Sequence, residues 1–270
     1  MVSYNNNNSL RRQDILALCN LRQDGRKKDE IRRLYCNLRP LHTGTNSCHG
    51  GSCLFEMGLT RVLVSVSGPT ECARRSDESV DKANLTVSVS QSPFATSSTR
   101  QQTSATSKRM LEMSNDIKTA FQAAVLLQLY PRAAIFVNVH ILADDGGVLE
   151  CAINAVTLAL VGSGIALKDL VCACSAGTLN EMVLLDLNRV EEMDGSGSAC
   201  KMSVATMPQR SSVVLTKLSS RLTIKELELV LKSAQVGCRS VYDVMAQVIR
   251  DHHATLVAAR MGNVHVKVNI

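Results

Sequence analysis

An α+β fold is what this sequence predicts, on three observations. Short stretches alternate apolar side chains with others at a spacing of two, as at Ile135, Val137, Val139 and Ile141, the signature of a half-buried strand. Two longer stretches carry apolar residues at helical spacing: Met110, Met113, Ile117, Phe121 and Val125, then Leu227, Leu231, Ala234, Val241, Met245 and Val248. Between them, Ala134–Gly177 reads as strand, glycine turn, helix and strand. Its helix, Cys151–Val161, is apolar almost all round and so should be buried on several sides. The order of strands and helices is similar in the two halves, with no repeat strong enough for a solenoid.

Taken in order, the first twenty residues hold the Asn5–Asn8 tract and a small apolar patch of Ile15, Leu16 and Leu18. They read as an arm, 1–20, that is partly ordered or docks on a neighbour. A single domain over 21–260 and a tail, 261–270, complete the expected organisation. Leu34–Leu38 is a strand candidate and His42–Ser52 a loop. Cys53–Glu56 and Val62–Ser67 form a hairpin around Gly58-Leu59-Thr60, ended by Gly68-Pro69. Cys72–Lys82 is a polar loop, Leu85–Val89 a strand, and the Ser/Thr-rich Ser92–Ser107 a mobile loop. A helix is expected over Lys108–Leu129, closed by Pro131. After Asp144-Asp145-Gly146-Gly147 and the buried helix, Leu170–Ala176 reads as a buried strand and Met182–Leu187 as another. Glu191–Ser198 is an acidic, glycine-rich loop. Met202–Met207 and Val213–Leu218 form a second hairpin, and Thr223 with Glu226 makes a capping box for the last helix.

Of 270 residues, 45% are hydrophobic and 20% charged, which is a globular composition. With no apolar run of 18 residues and no charged-then-apolar leader, a chain that neither spans a membrane nor is secreted is expected. Ten cysteines scattered through core elements suit free thiols in a reducing compartment. The net charge of +6 is unevenly placed. Residues 1–33 hold eight Arg or Lys against four acids, and no acid lies between Asp81 and Glu112, where Lys82, Arg100, Lys108 and Arg109 are basic. A polyanionic partner follows from this asymmetry. With no Trp, four Tyr and four Phe, contact should be to phosphates rather than by base stacking.

Several groups could carry chemistry. The strand, glycine turn and helix N-terminus at Gly146-Gly147 could bind an anion through free N–H groups and the helix dipole; the alternative is a βαβ core unit with a tight turn. His42, Cys48, His49 and Cys53 are possible zinc ligands but lack the paired spacing of zinc sites, so a polar loop is expected. Asp251-His252-His253 resembles a phosphoesterase motif without its companions and reads as a solvated helix face. Cys172 and Cys174 should point to one face of a strand, into the core. Asp186, Glu191, Glu192 and Asp194 are candidate acids at a strand end. No metal and no cofactor is expected.

The combination Arg22-Gln23-Asp24-Gly25-Arg26, Glu30-Ile31-Arg32, Gly51-Ser52 and Gly68-Pro69-Thr70-Glu71 resembles the N-terminal half of the RNase PH family. Asp145-Gly146-Gly147, Ile153-Asn154-Ala155, Val171–Gly177, Asp186-Leu187 and Val190-Glu191-Glu192 extend the resemblance over roughly residues 20–250. It implies an RNase PH-like (ribosomal protein S5 domain 2-like) fold, with two similar β-α-β halves and mixed sheets packed with helices. Within that family the resemblance points to the ring subunits of the RNA exosome. The implied partners are therefore other RNase PH-like ring subunits, S1- and KH-type cap subunits, an associated hydrolytic nuclease, and RNA threaded through a channel. The implied localisation is nucleus, nucleolus and cytoplasm. Active relatives cleave RNA from its 3′ end with inorganic phosphate.

The resemblance also implies that the chemistry is lost. Active relatives follow the GG turn with Thr and Arg, which hold the attacking phosphate; here those positions are Val148 and Leu149, which can neither hydrogen-bond nor charge-pair with a dianion. The acid that precedes the Met-x-Val-Ala stretch is Lys201, before Met202-Ser203-Val204-Ala205, and no acid lies between Gly195 and Arg210. Arg75 matches an RNA-contacting arginine of the family's channel-neck loop, with Arg74 beside it, and Lys108 and Arg109 match a basic pair near the phosphate pocket. The expectation is a non-catalytic ring subunit that scaffolds the ring and guides RNA. The alternatives are an active phosphate-dependent 3′-5′ exoribonuclease, or a ring subunit of another type.

Overall fold

The computed structural model describes residues 22, 24–41, 50–71, 79–95, 104–179, 182–192, 200–218 and 220–260. Strands β1 (Leu34–Leu38), β2 (Gly50–Met57), β3 (Thr60–Glu71), β4 (Asn84–Gln91) and β5 (Ala133–Ala143) form one sheet, in the order β1-β2-β3-β5-β4. Only β4 and β5 are parallel; their connection contains helix α1 (Ser104–Ala124) and a 3-10 turn, Leu127–Leu129. Helix α2 (Val148–Ser163) leads to β6 (Cys172–Leu179), β7 (Met182–Leu185), the short helix α3 (Arg189–Glu192), β8 (Cys200–Met207) and β9 (Ser212–Leu218). These four strands make a second sheet, β7-β6-β8-β9, antiparallel throughout. Helix α4 (Ile224–Arg260) closes the described chain.

The expected central βαβ unit is not one unit within one sheet. β5 lies in the first sheet and β6 in the second, with α2 between the sheets, packed on β2 and β3 on one side and β6 and β8 on the other. This is why every residue from Val148 to Leu160 is buried. α4 covers the other face of β6 and β8. β6 is therefore buried on both faces, and Cys172 and Cys174 both turn toward α4: Cys172 Sγ lies 3.8 Å from Met245 Sδ, and Cys174 borders Gly237. Every described cysteine is a free thiol, and burial raises the Cys172 and Cys174 pKa values, as expected for core residues rather than a redox pair.

Local chemistry explains the remaining differences from expectation. β3 does not stop at Gly68-Pro69; pairing with β5 shifts register between Ser67 and Thr70 and resumes to Glu71. α1 begins at Ser104, inside the expected loop, and ends at Ala124, because the chain there leaves the helix to pair: Val125 bridges Leu167 and Leu126 N donates to Ala166 O at 3.0 Å. Glu191 and Glu192 belong to α3 rather than a loop, since Asn188 and Glu191 cap it reciprocally (Glu191 N to Asn188 Oδ1, 3.0 Å; Asn188 N to Glu191 Oε2, 2.9 Å). The expected capping box of α4 is present, Thr223 N donating to Glu226 Oε2 at 3.0 Å and Glu226 N to Thr223 Oγ1 at 3.4 Å. On its inner face Val230 and Cys238 are buried with Ala234, Val241 and Met245.

Gly51 is where β2 meets α2. A Cβ there would collide with Ala159 O and stand 2.6 Å from Ser163 N, both backbone atoms. Gly51→Ala is expected to cost ~2–3 kcal/mol, the upper part of the overpacking range, because backbone must move. Urea unfolding checks this; an unchanged midpoint would contradict the packing described.

Candidate functional site

The turn between β5 and α2 is fixed from below by polar contacts. Thr60 Oγ1 donates to Gly146 O at 2.6 Å and accepts from Asp145 N at 3.1 Å. The Arg32 guanidinium donates to Asp145 O (3.0 Å) and Gly146 O (3.2 Å), and it clamps Asp186 from both sides: Nη2 to Oδ1 at 2.8 Å and Nε to Oδ2 at 3.0 Å. The Arg32 backbone N–H completes this with 2.8 Å to Asp186 Oδ2. Gly146 and Gly147 take φ of 86° and 65°, a region that glycine enters without penalty. At Gly146 a Cβ would also meet Arg189 N at 2.6 Å.

Asp186, one of the candidate acids, is fully buried and already spent on arginines. Its φ of 54° turns its carbonyl toward Arg22 Nη2 (2.7 Å) while its carboxylate faces Arg32 and, at 3.6 Å, Arg26. Glu191 is paired likewise, accepting from Arg22 Nε at 2.8 Å and from Nη2 of the same guanidinium. Neither carboxylate is open to a substrate. The Arg22 and Arg32 motifs in the N-terminal segment thus hold the strand end and short helix of the second sheet.

Glu192 is placed differently. Its Oε1 accepts from Gly147 N at 2.7 Å and lies 2.5 Å from Lys201 Nζ on β8. Lys201 Nζ is also 3.8 Å from Oε1 of Glu150, in the first turn of α2. Burial lowers the Lys201 pKa, but the charges of Glu150 and Glu192 raise it further, against the like charge of Arg109 on α1, so the net shift is upward. Val148 and Leu149 are buried at the start of α2. The structure therefore brings together Val148, Leu149, Glu192 and Lys201 at the GG turn, with Arg109 near enough to act on Lys201; Lys108 and Arg109 are exposed.

Sequence reasoning misses Glu150, although it is the only charged residue in the apolar stretch Val148–Val161, and that isolation is a usable signal. Cys53, from the possible zinc set, is a fully buried core residue of β2, and burial raises its thiol pKa. Arg74, Arg75, His42, Cys48, His49, Asp194, the arm and the tail lie outside the described residues. Among the described residues no three His, Cys, Asp or Glu side chains converge as a metal site, and no helix is long and apolar enough to cross a membrane. A cleft of about 640 Å³, bordered by Ser79, Lys82, Gln122 and Lys168, includes none of the GG-turn residues.

Sequence models of the 3′ exoribonuclease family match residues 30–166 as its domain 1 and 169–237 as its domain 2. The chain belongs to the RNase PH family of 3′ exoribonucleases. It is 33% identical over 237 residues to the exosome complex component ski6 of Schizosaccharomyces pombe, covering 88% of this chain and 94% of that one. It is likewise 33% identical over 240 residues to exosome complex component RRP41 of Mus musculus, with the same coverage. Among solved structures, rice (Oryza sativa) Rrp46 superposes with a TM-score of 0.72 at 25% identity, covering 85% of this chain and all of that one. The RNase PH-like fold inferred from the sequence motifs is thus present, with a mixed first sheet and an antiparallel second sheet.

Two outcomes follow from the geometry. Asp186→Ala leaves Arg32 buried without its carboxylate and should cost about 3–5 kcal/mol in denaturant unfolding; a loss below about 1 kcal/mol would contradict the clamp. For Lys201 the folded pKa lies above the ordinary lysine value near 10.5. Its stabilising contribution is therefore complete below that value and is lost as pH rises through the folded pKa. Lys201→Met should lower stability at neutral pH and lose less than the parent protein on going to alkaline pH; parallel stability–pH curves would contradict the pairing.

Proposed function

We propose that this chain is a non-catalytic ring subunit of an RNA exosome, scaffolding a hexameric ring of RNase PH-like subunits and guiding RNA through its channel for 3′-5′ processing and decay. The observation that carries the non-catalytic reading is Lys201. An ammonium held between Glu192 and Glu150 stands where, by the family resemblance, an acid should serve as general acid or metal ligand. Val148 and Leu149 support the same reading, because neither side chain can hold a phosphate dianion. The likeness to proteins named as exosome components supports the assembly, and with it S1- and KH-type caps, an associated hydrolytic nuclease, and a nuclear, nucleolar and cytoplasmic distribution. RNA contact would rest on Arg74, Arg75, Lys108 and Arg109.

A second reading, an active phosphate-dependent 3′-5′ exoribonuclease, draws on one feature: the GG turn still opens a helix N-terminus with Lys108 and Arg109 exposed on α1. Against it stands the loss of preorganised charge. Removing one donor to a developing oxyanion typically costs about 3 kcal/mol, and general acid loss adds ~10²-fold or more in rate.

The test of assembly is to tag the protein in its source and identify what is recovered with it by native mass spectrometry. The expected result is stoichiometric recovery with other RNase PH-like subunits; a monodisperse monomer with no such neighbours would contradict the proposal. In the recovered ring, Lys108→Glu with Arg109→Glu should weaken RNA binding and reduce the slope of log K against log salt by ~0.7 for each phosphate that is no longer neutralised. An unchanged slope would remove those two residues from the RNA path.

A further inference from the structure

The start of α2 is a place for an anion. Gly147 is the N-cap of the helix and has no side chain to cap it, so the first turn is left to other groups at the end where the helix dipole favours negative charge. A second, independent observation lies in that turn. Glu150 is completely buried and neither of its carboxylate oxygens has a hydrogen-bond partner. Its Oε2 lies 3.7 Å from where a Cβ on Gly147 would be, and Arg32 Nη2, already paired with Asp186, lies 2.6 Å from the same point, so Glu150 sits directly beneath the turn. A buried carboxylate left in this way is costly unless an opposite charge compensates it. The charge supplied is Lys201 Nζ at 3.8 Å, itself 2.5 Å from Glu192 Oε1, which in turn accepts from Gly147 N at 2.7 Å.

We infer that Glu192, Glu150 and Lys201 are a built-in occupant of this pocket. The Glu192 carboxylate takes the Gly147 N–H that a bound oxyanion would take, and the Lys201 ammonium is a tethered cation between two carboxylates. This rests on the non-catalytic reading and deepens it: the site is filled from within as well as stripped of its phosphate-holding side chains. Two carboxylates against one ammonium leave the cluster with a net negative charge. An entering tetrahedral oxyanion, whether free inorganic phosphate or a phosphate of RNA, would have to displace Glu192 and then lie beside Glu150. Repulsion at such separations in a partly buried site is strong.

Sequence distance hides this arrangement. Glu150 is in α2, Glu192 in α3 and Lys201 on β8, and they meet because α3 is held against the turn by Arg189 N to Asp145 O at 3.0 Å. Removing the two negative charges without removing bulk takes away the repulsion and leaves Lys201 without its two carboxylates, while a Gln amide at 192 is a weaker competitor than a carboxylate for the Gly147 N–H.

The experiment titrates the full chain with inorganic phosphate, at constant ionic strength, by calorimetry. The parent protein, Glu192→Gln, Glu150→Gln with Glu192→Gln, and that pair combined with Lys201→Met are compared, with circular dichroism to verify folding. The parent should show no saturable binding. The double variant should bind phosphate at least ~10-fold more tightly than the parent, and Lys201→Met should abolish the gain. Saturable binding by the parent as tight as by the double variant would overturn the inference, as would a folded double variant that gains nothing. Should the double variant not fold, the parent and Glu192→Gln carry the comparison, with the same two outcomes deciding. An RNA phosphorolysis assay separates the two readings. A parent protein that binds phosphate as tightly as the double variant but releases no nucleoside diphosphate overturns the plug alone, whereas one that releases them overturns the non-catalytic reading as well.

Discussion

The buried pair Arg32–Asp186 is the interaction on which the rest of the architecture turns. Arg32 lies just before the first strand of one sheet and Asp186 just after β7 of the other, so their contact joins two sheets that no strand ladder joins among the described residues. Charges taken out of water are repaid only when geometry and extra hydrogen bonds are good. Here the guanidinium meets both carboxylate oxygens and also donates to the carbonyls of Asp145 and Gly146 and to Thr60 Oγ1. The pair that joins the sheets is therefore the pair that shapes the GG turn. Loss of either partner would misplace the site and open the inter-sheet seam together.

Helix α2 depends on this seam. It fills the space between the sheets, and two of its buried polar side chains, Asn154 and Thr157, are satisfied by backbone of the second half. Asn154 clasps the Ala173 backbone, accepting from its N–H at 2.8 Å and donating to its carbonyl at 2.9 Å, and Thr157 donates to Val171 O at 2.7 Å. These bonds fix α2 against β6 and so fix where its first turn points. A scaffold this determined does not depend for its form on the catalytic side chains it can carry. On the proposed reading, that is the physical sense in which Val148, Leu149 and Lys201 can stand at these positions while the turn persists.

Much of this is legible in the sequence. Period-two alternation finds β1, β5 and the hairpins, and the capping box finds the start of α4, because these signals are local. The apolar run Cys151–Val161 announces a helix buried on several sides, but periodicity cannot say which sheet each flanking strand joins, so β5 and β6 read as one βαβ unit. The acids at 186, 191 and 192 are visible as a group, while their fates are not: two are bound by arginines some 160 residues away, and the third by a lysine on β8. Glu150 escapes notice because a single acid in an apolar helix has no local motif to announce it. Its meaning depends on charges that only the folded topology brings near.

As proposed, this chain keeps the RNase PH fold without its phosphorolytic chemistry. The most direct measurement is the release of nucleoside diphosphates from RNA by the purified full-length protein, with and without inorganic phosphate. No phosphate-dependent release is the result predicted. Robust release that disappears when Gly146 and Gly147 are changed would contradict the account.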